Sequence, residues 1–162
     1  MTLLENDPAN ACIGCGPSNA RGLHLAFERV GDVVETRLRA VASIEGWPLR
    51  LHSGVLYTAM LETANWTAYG LAGRPGFPIR TGAFAPKRWV ATGEDVALRG
   101  RRAGGEGFVV AVEAVAADGV IVATLERAFD FPDAATVRAR LGYDGLPDVL
   151  REAFPEQAAG VP

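Results

Sequence analysis

Residues 51–71 read LHSGVLYTAMLETANWTAYGL, and this stretch decides the fold. Val55, Leu56, Ala59, Met60, Leu61, Ala64, Trp66, Ala68 and Leu71 point in nearly every direction of a helical wheel. A helix that is apolar on most sides belongs inside a protein rather than on its surface. The spacing predicts this helix over about residues 54–70. Gly70 and Gly73, followed by Pro75, supply the stop, and a Gly/Pro-rich loop then runs to Pro78.

Strand patterns lie on both sides of it. Residues 23–30 and 33–40 are extended runs joined at Gly31-Asp32, a hairpin signal. Alternation puts Val34, Thr36 and Leu38 on one face and Glu35, Arg37 and Arg39 on the other. A loop follows, turning at Gly46-Trp47-Pro48. After the helix come four strand candidates, at about 80–90, 94–102, 107–117 and 120–131, the last two joined by Ala117-Asp118-Gly119. Asp133 caps a helix expected near 134–141, which Gly142 ends. Pro147 opens a further short helix that stops before Pro155, and the last seven residues are expected to be disordered.

The organisation is an irregular lead-in over 1–22, a main domain over 23–131 and a C-terminal stretch of short helices and tail over 132–162. The expected class is α+β. A curled, largely antiparallel sheet is wrapped around one long buried helix, because that arrangement covers both the sheet's apolar face and the helix.

Composition narrows the functions. The chain has 162 residues, 49% apolar and 22% charged, with a net charge of −3. These values describe an ordinary globular domain and speak against nucleic-acid binding. No apolar run reaches the ~18 residues of a membrane span. Met1 to Ala11 carries Glu5 and Asp7 and no basic residue, so it does not read as a signal peptide. Cytoplasm is the expected location. Cys12 and Cys15 are too few for a disulfide framework, and reduced thiols fit that compartment.

The most informative polar residue is Glu62. Between His52 and Arg74 no other side chain is charged at neutral pH. A carboxylate placed mid-helix among core residues is a candidate acid or base, or else a structural group that reaches an edge or an arginine. Thr58, Glu62, Asn65 and Tyr69 are spaced by four, three and four, forming one polar stripe that suits a cavity or a partner. At the helix mouth stands His52-Ser53-Gly54. First-turn amides lack internal partners, and a glycine lets a ligand oxygen approach, as in an oxyanion hole. The plainer reading is a helix start capped by Ser53.

With these residues in view, a resemblance is plain. Leu51-His52-Ser53-Gly54-Val55-Leu56, a carboxylate about ten residues on, and Trp66 resemble the core motif of the phenylacetate-pathway type of hotdog-fold acyl-CoA thioesterases. Cys12-Ile13-Gly14-Cys15-Gly16, Asn19, Gly22-Leu23 and Gly73-Arg74-Pro75-Gly76-Phe77-Pro78 add to it. The likeness covers roughly residues 12–130. It implies a hotdog fold and sites at the interface of a homodimer or dimer of dimers. It also implies hydrolysis of the thioester of a small, aromatic or medium-chain acid. Coenzyme A enters as part of the substrate, with no other cofactor.

By the resemblance, amides after His52, at Gly54 and Val55, polarise the carbonyl, and a helix carboxylate of the partner subunit acts as base or nucleophile. The usual His-Gly-Gly reads His52-Ser53-Gly54 here, and the commonest acid position holds Leu61, with Glu62 one residue beyond. One residue is about 100° of helix rotation. The expected catalytic set is Glu62, His52, Gly54, Asn65 to position water, and Thr81. The expected substrate contacts are Ser53, Val55, Thr58, Trp66, Arg80 and Arg88. Arg80, Lys87, Arg88, Arg99, Arg101 and Arg102 suit the phosphates of coenzyme A, or form a solvated strand face. Tyr57, Trp66, Tyr69, Phe77 and Phe84 line an acyl pocket or belong to the core.

Cys12 and Cys15 make half a zinc site, with only His24 and His52 as other soft donors, so no metal is expected. Two other functions compete: a non-catalytic hotdog protein that binds acyl-CoA, favoured by Leu61, and a hotdog dehydratase or hydratase. Against the latter, the residue fourteen before Glu62 is Pro48 rather than a histidine.

Overall fold

The computed structural model describes residues 1–145. The elements are β1 (Thr2–Leu4), β2 (Phe27–Val30), β3 (Val33–Arg39), α1 (Ser53–Ala72), β4 (Phe77–Thr81), β5 (Ala85–Pro86), β6 (Asp95–Arg102), β7 (Phe108–Ala116), β8 (Ile121–Asp130) and α2 (Ala134–Leu141). The strands form one sheet in the order β1-β2-β3-β6-β7-β8-β4, with β5 also on β8. Every pairing is antiparallel. α1 packs on β2, β3, β6, β7 and β8. The expected α+β hotdog architecture, a curled antiparallel sheet about one long helix, is therefore present.

Alternation builds the sheet's inner face. Val34, Thr36 and Leu38 are buried, as are Val96, Leu98, Val110, Val112, Ala114, Val122 and Leu125. Truncating Leu98 or Leu125 to alanine costs about 2–5 kcal/mol. Tight turns join the hairpins as expected: Gly31 and Gly119 take left-handed φ values of 62° and 83°.

α1 lays one stripe on that face, Leu56, Ala59, Met60, Thr63, Ala64, Thr67 and Ala68. Small residues dominate it, so the rod sits close to the strands. The buried hydroxyls of Thr63 and Thr67 donate to the carbonyls of Ala59 and Thr63, at 2.8 and 2.6 Å. The chain's own sheet does not cover α1 all round. At about 100° per residue, Thr58, Glu62, Asn65 and Tyr69 lie opposite the buried stripe.

Three details depart from the pattern. The run expected over 80–90 is split into β4 and β5, and β4 begins within the expected Gly/Pro loop. Pro78 and Pro86 lack the N–H a continuous ladder needs, and the register shifts between Pro78 and Arg80. β1, inside the lead-in, adds an edge strand on β2. The chain from Leu23 to Leu25 is not a strand; it grips the cysteine turn instead, as described below. Among the described residues, no helix is long and apolar enough to cross a membrane. α2 is capped by Asp133 and Gly142 as expected, whereas the helix expected from Pro147 and the tail lie outside the described residues.

Candidate active site on the uncovered face of the helix

His52, not Ser53, caps α1. The backbone N–H of Gly54 donates to His52 Nδ1 at 2.9 Å. The Val55 amide is also engaged, donating to the His52 carbonyl at 3.0 Å. The two amides expected to receive a thioester oxygen are thus satisfied from within. Histidine takes the cap because its Nδ1 reaches the same donor that a serine hydroxyl would. Ser53, exposed, is the first helical residue. A recess of about 240 Å³ opens beside it, lined by Gly46, Trp47, Leu51, His52, Ser53 and Trp89. Trp47 and Trp89 are 70% and 58% exposed.

Along the uncovered face, Thr58 Oγ1 donates back to the Gly54 carbonyl at 2.9 Å. Glu62 and Asn65 are half-buried. Asn65 Oδ1 accepts from Arg127 Nη1 at 2.9 Å. Burial lowers the Arg127 pKa, against the opposing charges of Tyr57 and Glu62. Arg127 was not expected in the site. Its signal was a charge on the half-covered side of β8, among positions that alternate with core residues. Thr81 pairs with Arg127 across the β4–β8 ladder, which puts it one strand beyond Asn65. Trp66 stacks on Phe27 at 5.2 Å, and Tyr57 packs on Phe84, so both serve the core wall. Leu61 also packs against the core.

The cysteine turn closes on Glu62. Leu23 and Leu25 donate their amides to the carbonyls of Ile13 and Gly14 at 2.8 and 3.0 Å. Asn6 Nδ2 donates to the Cys15 carbonyl at 2.7 Å, and the Cys12 amide donates to Asn10 Oδ1 at 2.9 Å. These bonds seat residues 12–16 so that a side chain at Gly14 would overlap Glu62. Cys12 Sγ, Cys15 Sγ and a Glu62 carboxylate oxygen lie within 4.8 Å of one another. Cys15 is buried and Cys12 half-buried.

Four arginines of the basic segment are engaged within the chain. Arg88 pairs with Glu94 and lies 3.6 Å from Asp118. Arg99 pairs with Glu35 at 3.1 Å, and Arg101 lies 3.8 Å from Glu113. Arg102 sits over the Phe108 ring. The charge of Arg88, expected as a substrate contact, is thus paired within the chain. Arg80 is exposed on the edge strand β4. The arginines that do gather at a cleft are Arg21, Arg37 and Arg39, around a space of about 680 Å³.

Comparison with known proteins places this architecture. No protein-family model matches the chain, and no curated protein matches. Solved structures do. A thioesterase-superfamily protein aligns at TM-score 0.64 and 22% identity, over 77% of this chain and 63% of its own. The chain thus spans less than two thirds of that relative. A hypothetical thioesterase from Streptococcus pneumoniae, solved with coenzyme A, aligns at TM-score 0.56 and 18% identity, over 65% and 85%. A variant of the phenylacetic acid degradation protein PaaI from Thermus thermophilus aligns at TM-score 0.57 and 17% identity, over 67% and 95%. The chain shares the hotdog fold of these structures.

Proposed function

We propose that this chain hydrolyses acyl-CoA thioesters of a small, aromatic or medium-chain acid, with Glu62 as general base or nucleophile. The observation that carries the reading is Glu62 itself, a half-buried carboxylate on the helix face that its own sheet leaves uncovered. The fold of thioesterase-superfamily structures supports it, as does the coenzyme A in one of them.

Helix geometry bears on how the site is completed. Gly54 and Glu62 are eight residues apart, or about 12 Å along the axis. One small carbonyl group cannot touch both. The oxyanion amide and the carboxylate of a single site therefore come from two copies of the chain, which supports a homodimer or a dimer of dimers. The thioester oxygen replaces His52 Nδ1 on the Gly54 amide as the exposed imidazole turns aside. Glu62 of the other copy takes a proton from water, the water oxygen bonds to the carbonyl carbon, and the coenzyme A thiolate leaves. Asn65, held by Arg127, orients the water.

A panel of acyl-CoA esters with free-thiol readout tests the activity. Turnover of at least one ester is expected. Tight binding of acyl-CoA with no thiol release on any ester would favour the non-catalytic reading instead. Light scattering at micromolar concentration tests the assembly, and a monomer of about 17 kDa would contradict it.

A further inference from the structure

We infer that Cys12, Cys15 and Glu62 form a binding site for one thiophilic divalent cation of the zinc type, with its fourth position open. The site takes one carboxylate oxygen of Glu62 and leaves the second for the hydrolase reading, on which the site does not rest.

The geometry carries the inference. The three donor atoms lie within 4.8 Å of one another. Tetrahedral zinc with bonds of about 2.3 Å to sulfur spaces its ligands about 3.8 Å apart, so a small contraction closes the site. Two thiolates and a carboxylate suit zinc over magnesium or calcium. Among the described residues no fourth side chain joins the cluster, and three protein ligands are the pattern of a zinc site with an exchangeable position.

The surroundings of the sulfurs point the same way. The Gly14 amide donates to Cys12 Sγ at 3.3 Å. Asn10 Nδ2 approaches Cys15 Sγ at 3.9 Å. N–H donors aimed at sulfur stabilise thiolates, and such outer partners accompany bound metals. A carboxylate beside two would-be thiolates is a like-charge conflict that a cation resolves. On binding, the two thiol protons leave to solvent. The turn is shaped for the contact: Gly14 admits Glu62, and at Gly16 a side chain would overlap the backbone of Cys12 and Asn10.

The test uses the full chain, reduced and freed of metal by a chelator, and titrates it with Co²⁺. One equivalent is expected to bind, with thiolate-to-cobalt charge-transfer absorption and the visible bands of tetrahedral cobalt, and Zn²⁺ displaces it. Cys12→Ser and Cys15→Ser each lose the charge-transfer band and weaken Co²⁺ binding by more than about 100-fold, beyond the effect of an outer-shell change. Absence of the band in the wild-type chain would overturn the site, and so would a band that survives both substitutions. The wild-type titration decides even if a variant fails to fold. Because absorption is read rather than turnover, failure here leaves the hydrolase reading standing, and failure to hydrolyse leaves this site standing.

Discussion

Gly14 and Glu62 occupy the same space in the sense that matters: a methyl group on Gly14 would overlap the Glu62 side chain. A loop twelve residues into the chain thus fixes where the helix carboxylate points. Gly14→Ala must move Glu62, because residues 12–16 are tied by backbone bonds to Leu23 and Leu25. Turnover is expected to fall about tenfold or more, as misplacement of a reacting group does, with a stability loss of about 1–3 kcal/mol. Acyl-CoA hydrolysis and a urea midpoint read the two effects. Full activity in Gly14→Ala would detach the loop from the site.

Asn65 and Arg127 form a second such pair, at 2.9 Å. Asn65→Ala leaves a half-buried guanidinium short of an acceptor, which costs about 1–3 kcal/mol. Urea unfolding should show this loss, with turnover falling as well. An unchanged midpoint would mean that water replaces the amide without cost.

Leu61→Asp places a second carboxylate beside Glu62 and removes a side chain packed on the core. The expected result is a loss of about 2 kcal/mol or more and no gain in hydrolysis. A large gain of activity would identify position 61 as the true acid site and the natural chain as a weak or non-catalytic relative.

The cross-chain site predicts complementation. Gly54→Pro removes the oxyanion amide, in a first turn where proline is tolerated. Glu62→Gln removes the carboxylate. Each variant alone is inactive. Refolding equal amounts together makes about half the dimers mixed, each with one intact site of two, so about a quarter of wild-type activity returns. No recovery from the mixture would place both groups in one chain.

Stability should fall in acid through Glu94. The Arg88 hydrogen bond, then the Ala91 amide, hold its carboxyl below the ordinary 4.5, against the effect of burial. A lowered folded-state pKa gives stability that is present above the unfolded value and lost as pH falls through the folded one. Urea midpoints should therefore drop below about pH 4.5, and Arg88→Met should flatten that part of the curve. An identical acid slope in the variant would reject the pair as its source.

Much of this was legible in the sequence because local rules decided it. Gly31-Asp32, Ala117-Asp118-Gly119, Asp133 and Gly142 each acted through their own backbone, and the alternation of Val34, Thr36 and Leu38 needed only a sheet with one covered face. Glu62 was conspicuous because charge is rare on that helix. What stayed hidden depends on long-range contact. The seating of Cys12 and Cys15 against Glu62 is made by loop bonds from Leu23 and Leu25. Arg127 joins Asn65 from 62 residues away. Arg88 reads as a free cation until the fold brings Glu94 and Asp118 to it. Ser53 reads as the cap in sequence, and only the backbone geometry puts His52 Nδ1 on the Gly54 amide instead.

Turnover of Glu62→Gln beside the wild type, on the best ester of the acyl-CoA panel and with far-UV circular dichroism as the folding control, tests the central claim most directly. The expected result is a fall of roughly 100-fold or more with unchanged secondary structure. Near-normal turnover by Glu62→Gln would contradict it.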